Sequence, residues 1–294
     1  MDHPSTRDSI NIEDAKIISH QGYEGNQYIM QLRAPETANT ALPGNFVHLV
    51  CDPSLPMRRP MSIMRTNLQA GIIEIMYKAQ GQGTRLLARR GVGETINLLG
   101  PVGKPFKLKN YRKRPLLIGG GVGIPPMIFL AEHLKNLNED CMPLVIMGSE
   151  VPFTFKSRPS RIMVSGIPEG VIACIPLLED WGIASRLSSL QGYPGCYEGF
   201  VTDLARLWLD RLADSLDEVE IFSCGPTPML RAVAALAQEY EIPCQVSLEE
   251  YMACGVGGCA GCTVRVYTQS GPSMKRVCVD GPVFEASTVY PVNT

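Results

Sequence analysis

The sequence predicts a multidomain β + α/β chain: an antiparallel β-barrel, then a parallel-sheet α/β domain, then a small C-terminal cysteine module. Three observations carry this prediction. Up to about residue 108, short apolar or alternating runs recur between turn residues. From there to about 246, strands alternate with helices, the rhythm of a parallel sheet. Beyond 247, four cysteines gather in a glycine-rich segment. The expected domains are therefore 1–108, 109–246 and 247–294. At 294 residues, 45% hydrophobic and 19% charged, the chain is long enough for sizeable cores of ordinary soluble composition.

The barrel is read from its turns. Runs at 15–19, 27–32, 46–51, 60–64, 72–77 and 95–98 are separated by Gly22 and Gly25, Pro43-Gly44, Asp52-Pro53, Ala70-Gly71, and Gly91 and Gly93. Six short strands so punctuated suit an antiparallel barrel, with a short basic helix at 84–90 interrupting them. In the α/β part, a strand at 115–118 leads through a glycine turn into a helix at 127–136. Strands follow at 143–147 and 219–222, then a helix at 229–240 and a strand at 245–248. Between 152 and 199 the chain is irregular and rich in proline and glycine, with strands expected at 161–164 and 171–176. The cysteine module adds a strand at 263–267 and a turn at Ser270-Gly271-Pro272.

Composition excludes several classes of function. A net charge of −2, with no basic run beyond Tyr111-Arg112-Lys113-Arg114, gives no nucleic-acid-binding surface. The N-terminus, Met1 to Asp8, is polar and has no apolar signal-peptide core. Residues 115–131 lack charge for seventeen positions, but four glycines and three prolines make them a buried strand–loop–helix rather than a membrane span. Ten cysteines without a secretory framework point to a reducing, cytoplasmic compartment. None of the four histidines (His3, His20, His48 and His133) lies near the cysteine cluster in sequence, which weakens a mixed Cys/His metal site.

Cys254, Cys259 and Cys262 are spaced C-x4-C-x2-C, and Cys278 follows after fifteen residues. A [2Fe–2S] cluster needs four thiolates converging on two irons, and this is the plant-type ferredoxin spacing, with a short loop before the fourth ligand. Gly255, Gly257, Gly258 and Gly261 let the backbone curl around a cluster with its amides free for the sulfurs. Four structural cysteines would not need that glycine density. A zinc site usually pairs two C-x2–4-C hairpins, and only Cys259 and Cys262 form such a pair. Iron–sulfur is the preferred reading, with a zinc knuckle for assembly as the alternative from another class.

Phosphate-binding signals are individually ambiguous. The turn Gly119-Gly120-Gly121-Val122-Gly123-Ile124-Pro125-Pro126 follows a strand and opens a helix, so its amides could hold an anion. It does not match G-x-G-x-x-G, because Pro126 stands at the third glycine position. Tight packing explains it as well as phosphate binding does. A second turn, Ser223-Cys224-Gly225-Pro226, ends a later parallel strand, where α/β sheets hold ligands. Cys224 alone reads more readily as a small buried core residue than as a functional thiol. In the barrel, Arg58-Arg59-Pro60-Met61-Ser62 offers an arginine for a pyrophosphate and a serine for a ring edge, or else a solvated arginine pair. Gly81-Gln82-Gly83-Thr84 begins the short helix and could hold a phosphate on its amides.

Taken in order, these features resemble the ferredoxin–NAD(P)+ reductase superfamily, and most closely the electron-transfer subunits of NADH-dependent dihydroorotate dehydrogenases. The resemblance spans essentially the whole chain. It rests on Arg59-Pro60-Met61-Ser62, Leu99 to Gly103, Gly119 to Pro125, and Cys224-Gly225-Pro226. Its most specific parts are Ser247 to Cys254, which leads into the cysteine loop, and Val277 to Phe284, which closes it. The resemblance implies a flavin-binding barrel holding FAD, with Arg59 and Pro60 near the pyrophosphate, Ser62 near the flavin ring, and Gly83 and Thr84 at a second flavin-phosphate turn. The superfamily usually has an aromatic residue where Met61 stands, so flavin stacking would come from elsewhere. NAD(H) would lie in the nucleotide-binding α/β domain across Gly119, Gly120, Gly121 and Gly123, with Cys224, Gly225 and Pro226 close to the nicotinamide. Glu150 would accept the adenine ribose hydroxyls, favouring NADH. Cys254, Cys259, Cys262 and Cys278 would ligate the cluster.

The implied function is electron relay between NAD and a flavin-containing dihydroorotate dehydrogenase catalytic subunit, through FAD and [2Fe–2S], in a heterotetramer serving pyrimidine biosynthesis. No catalytic acid–base residue is expected in this chain, and no Ser/His/Asp, paired-carboxylate or H-E-x-x-H arrangement suggests hydrolysis. Related subunits of the same layout serve ferredoxin:NADP or sulfide/polysulfide chemistry, which is the alternative partner reading. The irregular stretch 152–199 would then alter the partner surface or cover the NAD site.

Overall fold

The computed structural model describes residues 10–109, 111–137 and 140–291; the polar stretch Met1 to Asp8, with His3, lies outside them. The chain forms two compact units, one of residues up to Phe106 together with Leu248–Val283, the other of Lys107–Ser247 with the residues from Phe284 onward.

The first unit opens with β1 (Asn11–Tyr23), β2 (Gln27–Arg33), helix α1 (Pro35–Thr40), β3 (Phe46–Leu49), β4 (Arg59–Asn67), β5 (Ile72–Lys78), helix α2 (Gln82–Leu87) and β6 (Thr95–Val102). The six strands close into a barrel in the order β1-β2-β5-β4-β3-β6, antiparallel throughout, so no edge is left unpaired. Alternation sends Ile17, Met30, Leu32, Leu49, Ile63, Ile73, Ile75, Ile96 and Leu98 into a sealed interior. Each of the six expected strands is present. Helix α1 is an addition; the Glu13 carboxylate accepts the Glu36 and Thr37 N–H groups at 3.0 and 2.9 Å and so starts it.

The second unit contains β7 (Arg114–Gly120), α3 (Ile124–Leu137), β8 (Leu144–Gly148), β9 (Arg158–Pro159), β10 (Ala173–Cys174), α4 (Pro176–Asp180), β11 (Ala184–Ser188), α5 (Val201–Arg211), β12 (Val219–Cys224), α6 (Thr227–Glu239) and β13 (Cys244–Ser247). Its main sheet runs β11-β8-β7-β12-β13, all parallel. The chain winds outward from β7 to β11, then resumes at β12 on the other side of β7. The strand order thus reverses between β7 and β12, the place where an open α/β sheet leaves a crevice at its carboxyl ends.

Residues 161–164 were expected as a strand and are not one. Arg161 N–H goes to the Glu179 carboxylate at 2.6 Å and Ile162 N–H to Ser160 Oγ at 3.1 Å, so side chains satisfy backbone groups that a strand partner would otherwise take. Of 171–176, only Ala173–Cys174 is strand, paired with β9; Pro176 already begins α4.

The chain then returns to the first unit. Leu248 N–H meets the Pro282 carbonyl at 2.9 Å, joining the two ends of the cysteine segment, and Lys104 N–H at the end of the barrel donates to Gly281 O at 2.5 Å. Within the segment, β14 (Thr263–Thr268) and β15 (Gly271–Arg276) form an antiparallel hairpin, Thr268 facing Gly271 across the turn. Strand β16 (Val283–Glu285) adds beside β13 at the sheet edge, and α7 (Ala286–Val289) follows. No described helix is long and apolar enough to cross a membrane.

Candidate functional site

In the barrel, Arg59 opens β4 and lies over the start of α2: a Cβ added to Gly83 would come within 3.1 Å of Arg59 Nε. Two features far apart in sequence, the arginine and the glycine turn, are thereby brought together. Among the described residues Arg59 donates to the Met57 and Arg58 carbonyls at 2.8 and 3.1 Å, which leaves further guanidinium donors for a ligand. Thr84 Oγ1 accepts the Gln80 and Gly81 N–H groups, each at 3.1 Å, and holds the turn that opens α2. Strand alternation buries Met61 and leaves Ser62 partly exposed, so Met61 faces the barrel interior and is no platform for a ring bound outside. Arg58 is spent differently. Its guanidinium donates to the His48 and Asn97 carbonyls at 3.1 and 3.2 Å and to the Asn97 side chain, clipping β3 to β6.

The cysteine segment directs backbone donors at sulfur. Cys259 N–H points to Cys254 Sγ and Gly261 N–H to Cys259 Sγ, both at 3.4 Å, and Cys278 N–H to Cys262 Sγ at 3.5 Å. Burial pushes the Cys254 thiol up, but hydrogen bonds from the Val256, Cys259 and Gly258 backbone outweigh it and hold the group at about 7. Cys278 is pushed up to about 12, by burial first and then by Cys262 beside it. Two adjacent thiols cannot both ionise without a cation between them. Arg276 fixes the loop: its guanidinium donates to Gly257 O at 3.0 Å and to the Asp280 carboxylate at 3.3 Å.

Among the described residues, no three His, Cys, Asp or Glu side chains close on a single metal-ion position. Side-chain contacts link the Cys254 and Cys259 thiols and the Cys262 and Cys278 thiols, and Cys254 also lies near enough to Cys278 to push it up. Four thiolates shared between two irons use such a donor set. The donor set therefore fits a [2Fe–2S] cluster. Cys259 is exposed, Cys262 and Cys278 are buried, and Tyr251 just before the loop is 94% exposed.

In the second unit, the two turns expected from sequence meet at the carboxyl ends of β7 and β12. A Cβ on Gly123 would lie 2.1 Å from the Cys224 carbonyl oxygen, and one on Gly120 would lie 2.5 Å from Met229 Sδ. Gly119, Gly120 and Gly123 are buried, so close packing of the turns accounts for them. Gly121 is different: its φ is +56° and nothing stands within 4 Å of where its Cβ would be, so its turn opens outward. Pro125 and Pro126 occupy the first turn of α3, where a missing N–H costs nothing. Cys224 is buried, and Gly225 backs onto Met229. Glu150 lies exposed just beyond β8, in a turn held by Ser189 Oγ donating to Ser149 O at 2.7 Å.

Sequence reading missed His48, which carries no motif. It is wholly buried on β3, under the cysteine loop. The signal available was only its place in a short apolar run.

Comparison with known proteins agrees with this geometry. Residues 249–290 match the iron–sulfur cluster binding domain of dihydroorotate dehydrogenase B. A protein of Desulforamulus reducens named dihydroorotate dehydrogenase B (NAD(+)), electron transfer subunit, is 32% identical, over 92% of this chain and 95% of its own length. A Geobacillus protein of the same name is 34% identical, over 94% of this chain and 98% of its own. Among solved structures, an NADH-dependent reduced ferredoxin–NADP oxidoreductase superposes with a TM-score of 0.73 at 26% identity, covering 94% of this chain and 90% of that one. The ferredoxin reductase of a carbazole dioxygenase shares the fold, with a TM-score of 0.61 at 21% identity, covering 80% of this chain and 67% of that one.

Proposed function

Because the chain belongs to the family of dihydroorotate dehydrogenase B electron transfer subunits, we propose that it carries electrons between a dihydroorotate dehydrogenase catalytic subunit and NAD, as an NADH-linked flavin and iron–sulfur oxidoreductase subunit of pyrimidine biosynthesis. Three functional domains divide the work: 1–108 for FAD, 109–246 for NAD(H) and 247–294 for the [2Fe–2S] cluster. The compartment is the cytoplasm and the assembly a heterotetramer with the flavin-containing catalytic subunit.

When bound, FAD and the cluster supply the hydride and single-electron chemistry. The chain's own residues bind and orient. Arg59, with Pro60 behind it, pairs with the flavin pyrophosphate, the Gly83–Thr84 turn takes a second phosphate contact, and Ser62 hydrogen-bonds the ring edge. The Gly119, Gly120, Gly121 and Gly123 turn offers backbone N–H groups to the dinucleotide, with Cys224, Gly225 and Pro226 lining the nicotinamide end and Glu150 the ribose hydroxyls. Cys254, Cys259, Cys262 and Cys278 hold the cluster as thiolates, aided by N–H groups already aimed at sulfur. The proton chemistry on dihydroorotate is assigned to the catalytic subunit.

The observation that carries this reading is the cysteine loop with its sulfur-directed donors, on the same compact unit as the Arg59–Gly83 site. The test is to purify the chain anaerobically with its companions and assay orotate formation coupled to NAD+ reduction. Turnover with a co-eluting second subunit is the expected result. Flavin that NADH bleaches, without orotate turnover, would overturn the partner and keep the relay. The similarity to a ferredoxin–NADP oxidoreductase over 94% of the chain favours a ferredoxin as that other partner, and salt-sensitive ferredoxin binding would identify it.

A further inference from the structure

His48, on barrel strand β3, has no task in the relay described so far. It is 0% exposed, and among the described residues neither Nδ1 nor Nε2 has a well-formed hydrogen bond. Its position is specific. A Cβ on Gly255, the residue after Cys254, would lie 2.6 Å from His48 Nδ1, so the backbone of the cysteine loop rests on that edge of the ring. Gly255 itself has φ +70°, a conformation that turns the loop toward the barrel. Burial first, and then the charge of Arg58, hold the imidazole down at about 4; weak backbone hydrogen bonds to Met252 and Arg58 offset this only in part. An imidazole carries at least one ring N–H to donate.

A buried donor without a well-formed acceptor is costly, and native proteins keep one where a ligand, water or ion completes it. The loop above His48 is where donors already collect: the Val256, Gly258 and Cys259 backbone is directed at the Cys254 sulfur. The imidazole, on barrel strand β3, meets that loop at Gly255. We propose that His48 is a positioning residue for the [2Fe–2S] cluster, its ring N–H donating to sulfur at the Cys254–Cys259 end and seating that loop on β3. Hydrogen bonds to sulfur stabilise the reduced, more negative cluster, so His48 raises the midpoint potential. This rests on the relay reading.

The test is an EPR-monitored redox titration of the anaerobically purified holoprotein, comparing wild type with His48→Leu and His48→Asn. Leucine removes the donor; asparagine places an amide N–H near the position of Nδ1. At the wild-type midpoint, His48→Leu should lower the reduced-to-oxidised ratio about tenfold, a shift of about 59 mV for one electron. His48→Asn should recover most of it, and the flavin potential should stay in place. An unmoved midpoint in His48→Leu, or an equal shift in His48→Asn, overturns the proposal. If His48→Leu loses the cluster, a wild-type midpoint in His48→Asn supports it, and cluster loss in both overturns it. A purified protein holding zinc and no iron would instead overturn the relay reading itself.

Discussion

Arg58 and Arg59 are neighbours in sequence with unlike tasks, and the difference lies in what each guanidinium already touches. Arg58 is bonded to the His48 and Asn97 carbonyls and the Asn97 side chain, which makes it part of the barrel wall. Among the described residues Arg59 bonds two local carbonyls, and it lies over Gly83. Arg59→Ala should weaken FAD binding by about tenfold to a hundredfold, the range expected for losing charge-assisted hydrogen bonds, while the melting temperature of the apoprotein barely moves. The flavin-to-protein absorbance ratio and a calorimetric titration of apoprotein with FAD check this; an Arg59→Ala protein that purifies fully flavinated would remove Arg59 from the site. His48 gives a second residue-scale prediction. The unfolded imidazole titrates near 6.5 and the folded one near 4, so between these values only the unfolded chain takes up the proton. Its contribution to stability is full above pH 6.5 and is lost as pH falls through 4, about 3 kcal/mol in all. Urea unfolding of cluster-free protein across that window should show a pH slope that His48→Leu flattens; parallel slopes for the two proteins would contradict it.

Elements owe their positions to contacts between turns more than to the turns themselves. Gly123 faces the carbonyl of Cys224, which is backbone and cannot swing aside. Gly123→Ala should therefore pry the α3 turn from the β12 turn, at a cost of about 1–3 kcal/mol, and raise the NADH concentration needed to bleach the flavin. FAD and cluster spectra should be unchanged; normal NADH affinity would show that the apposed turns do not form the dinucleotide site. Such closeness explains why the glycine run was ambiguous in sequence: packing and anion binding both demand glycine, and only the structure separates buried Gly119, Gly120 and Gly123 from open Gly121. The barrel strands were legible because glycine and proline punctuate a period-2 pattern. Strand β11 was not, since Arg186 sits mid-strand; its guanidinium is buried by donating to the Ser185 and Ile162 carbonyls at 2.7 and 2.8 Å. Helix α5 carries a readable stripe, Val201, Leu204, Ala205, Trp208 and Leu209, but Phe200 stands where a capping side chain would announce it. Strand β15, with Pro272, Ser273 and Lys275, has no strand pattern of its own and exists through its pairing with β14.

At the scale of the whole molecule, the chain passes from barrel to sheet, back to the barrel's unit for the cysteine segment, and ends at the sheet edge. The flavin-type site and the thiols share one compact unit yet use separate residues: Arg59 and Gly83 on β4 and α2, the cysteines on a segment whose ends join at Leu248 and Pro282. That separation makes the relay divisible by mutation. Cys262 is buried, its sulfur receives the Cys278 N–H, and its carbonyl receives the Val277 N–H at 3.0 Å. Cys262→Ser should keep the carbonyl contact and the β14–β15 hairpin but remove one of the four proposed soft ligands, which iron in a thiolate-bound cluster does not readily replace with a hydroxyl. The purified variant should lack the cluster's iron and its visible absorbance while retaining FAD. NADH should still bleach the flavin in stopped flow at close to the wild-type rate, and orotate-coupled turnover with the catalytic subunit should stop, because the path out of the flavin has been cut and the path in has not. Loss of FAD together with the cluster would mean that the cysteine segment helps to build the flavin site, and the two functions would then have to be assigned to the unit as a whole.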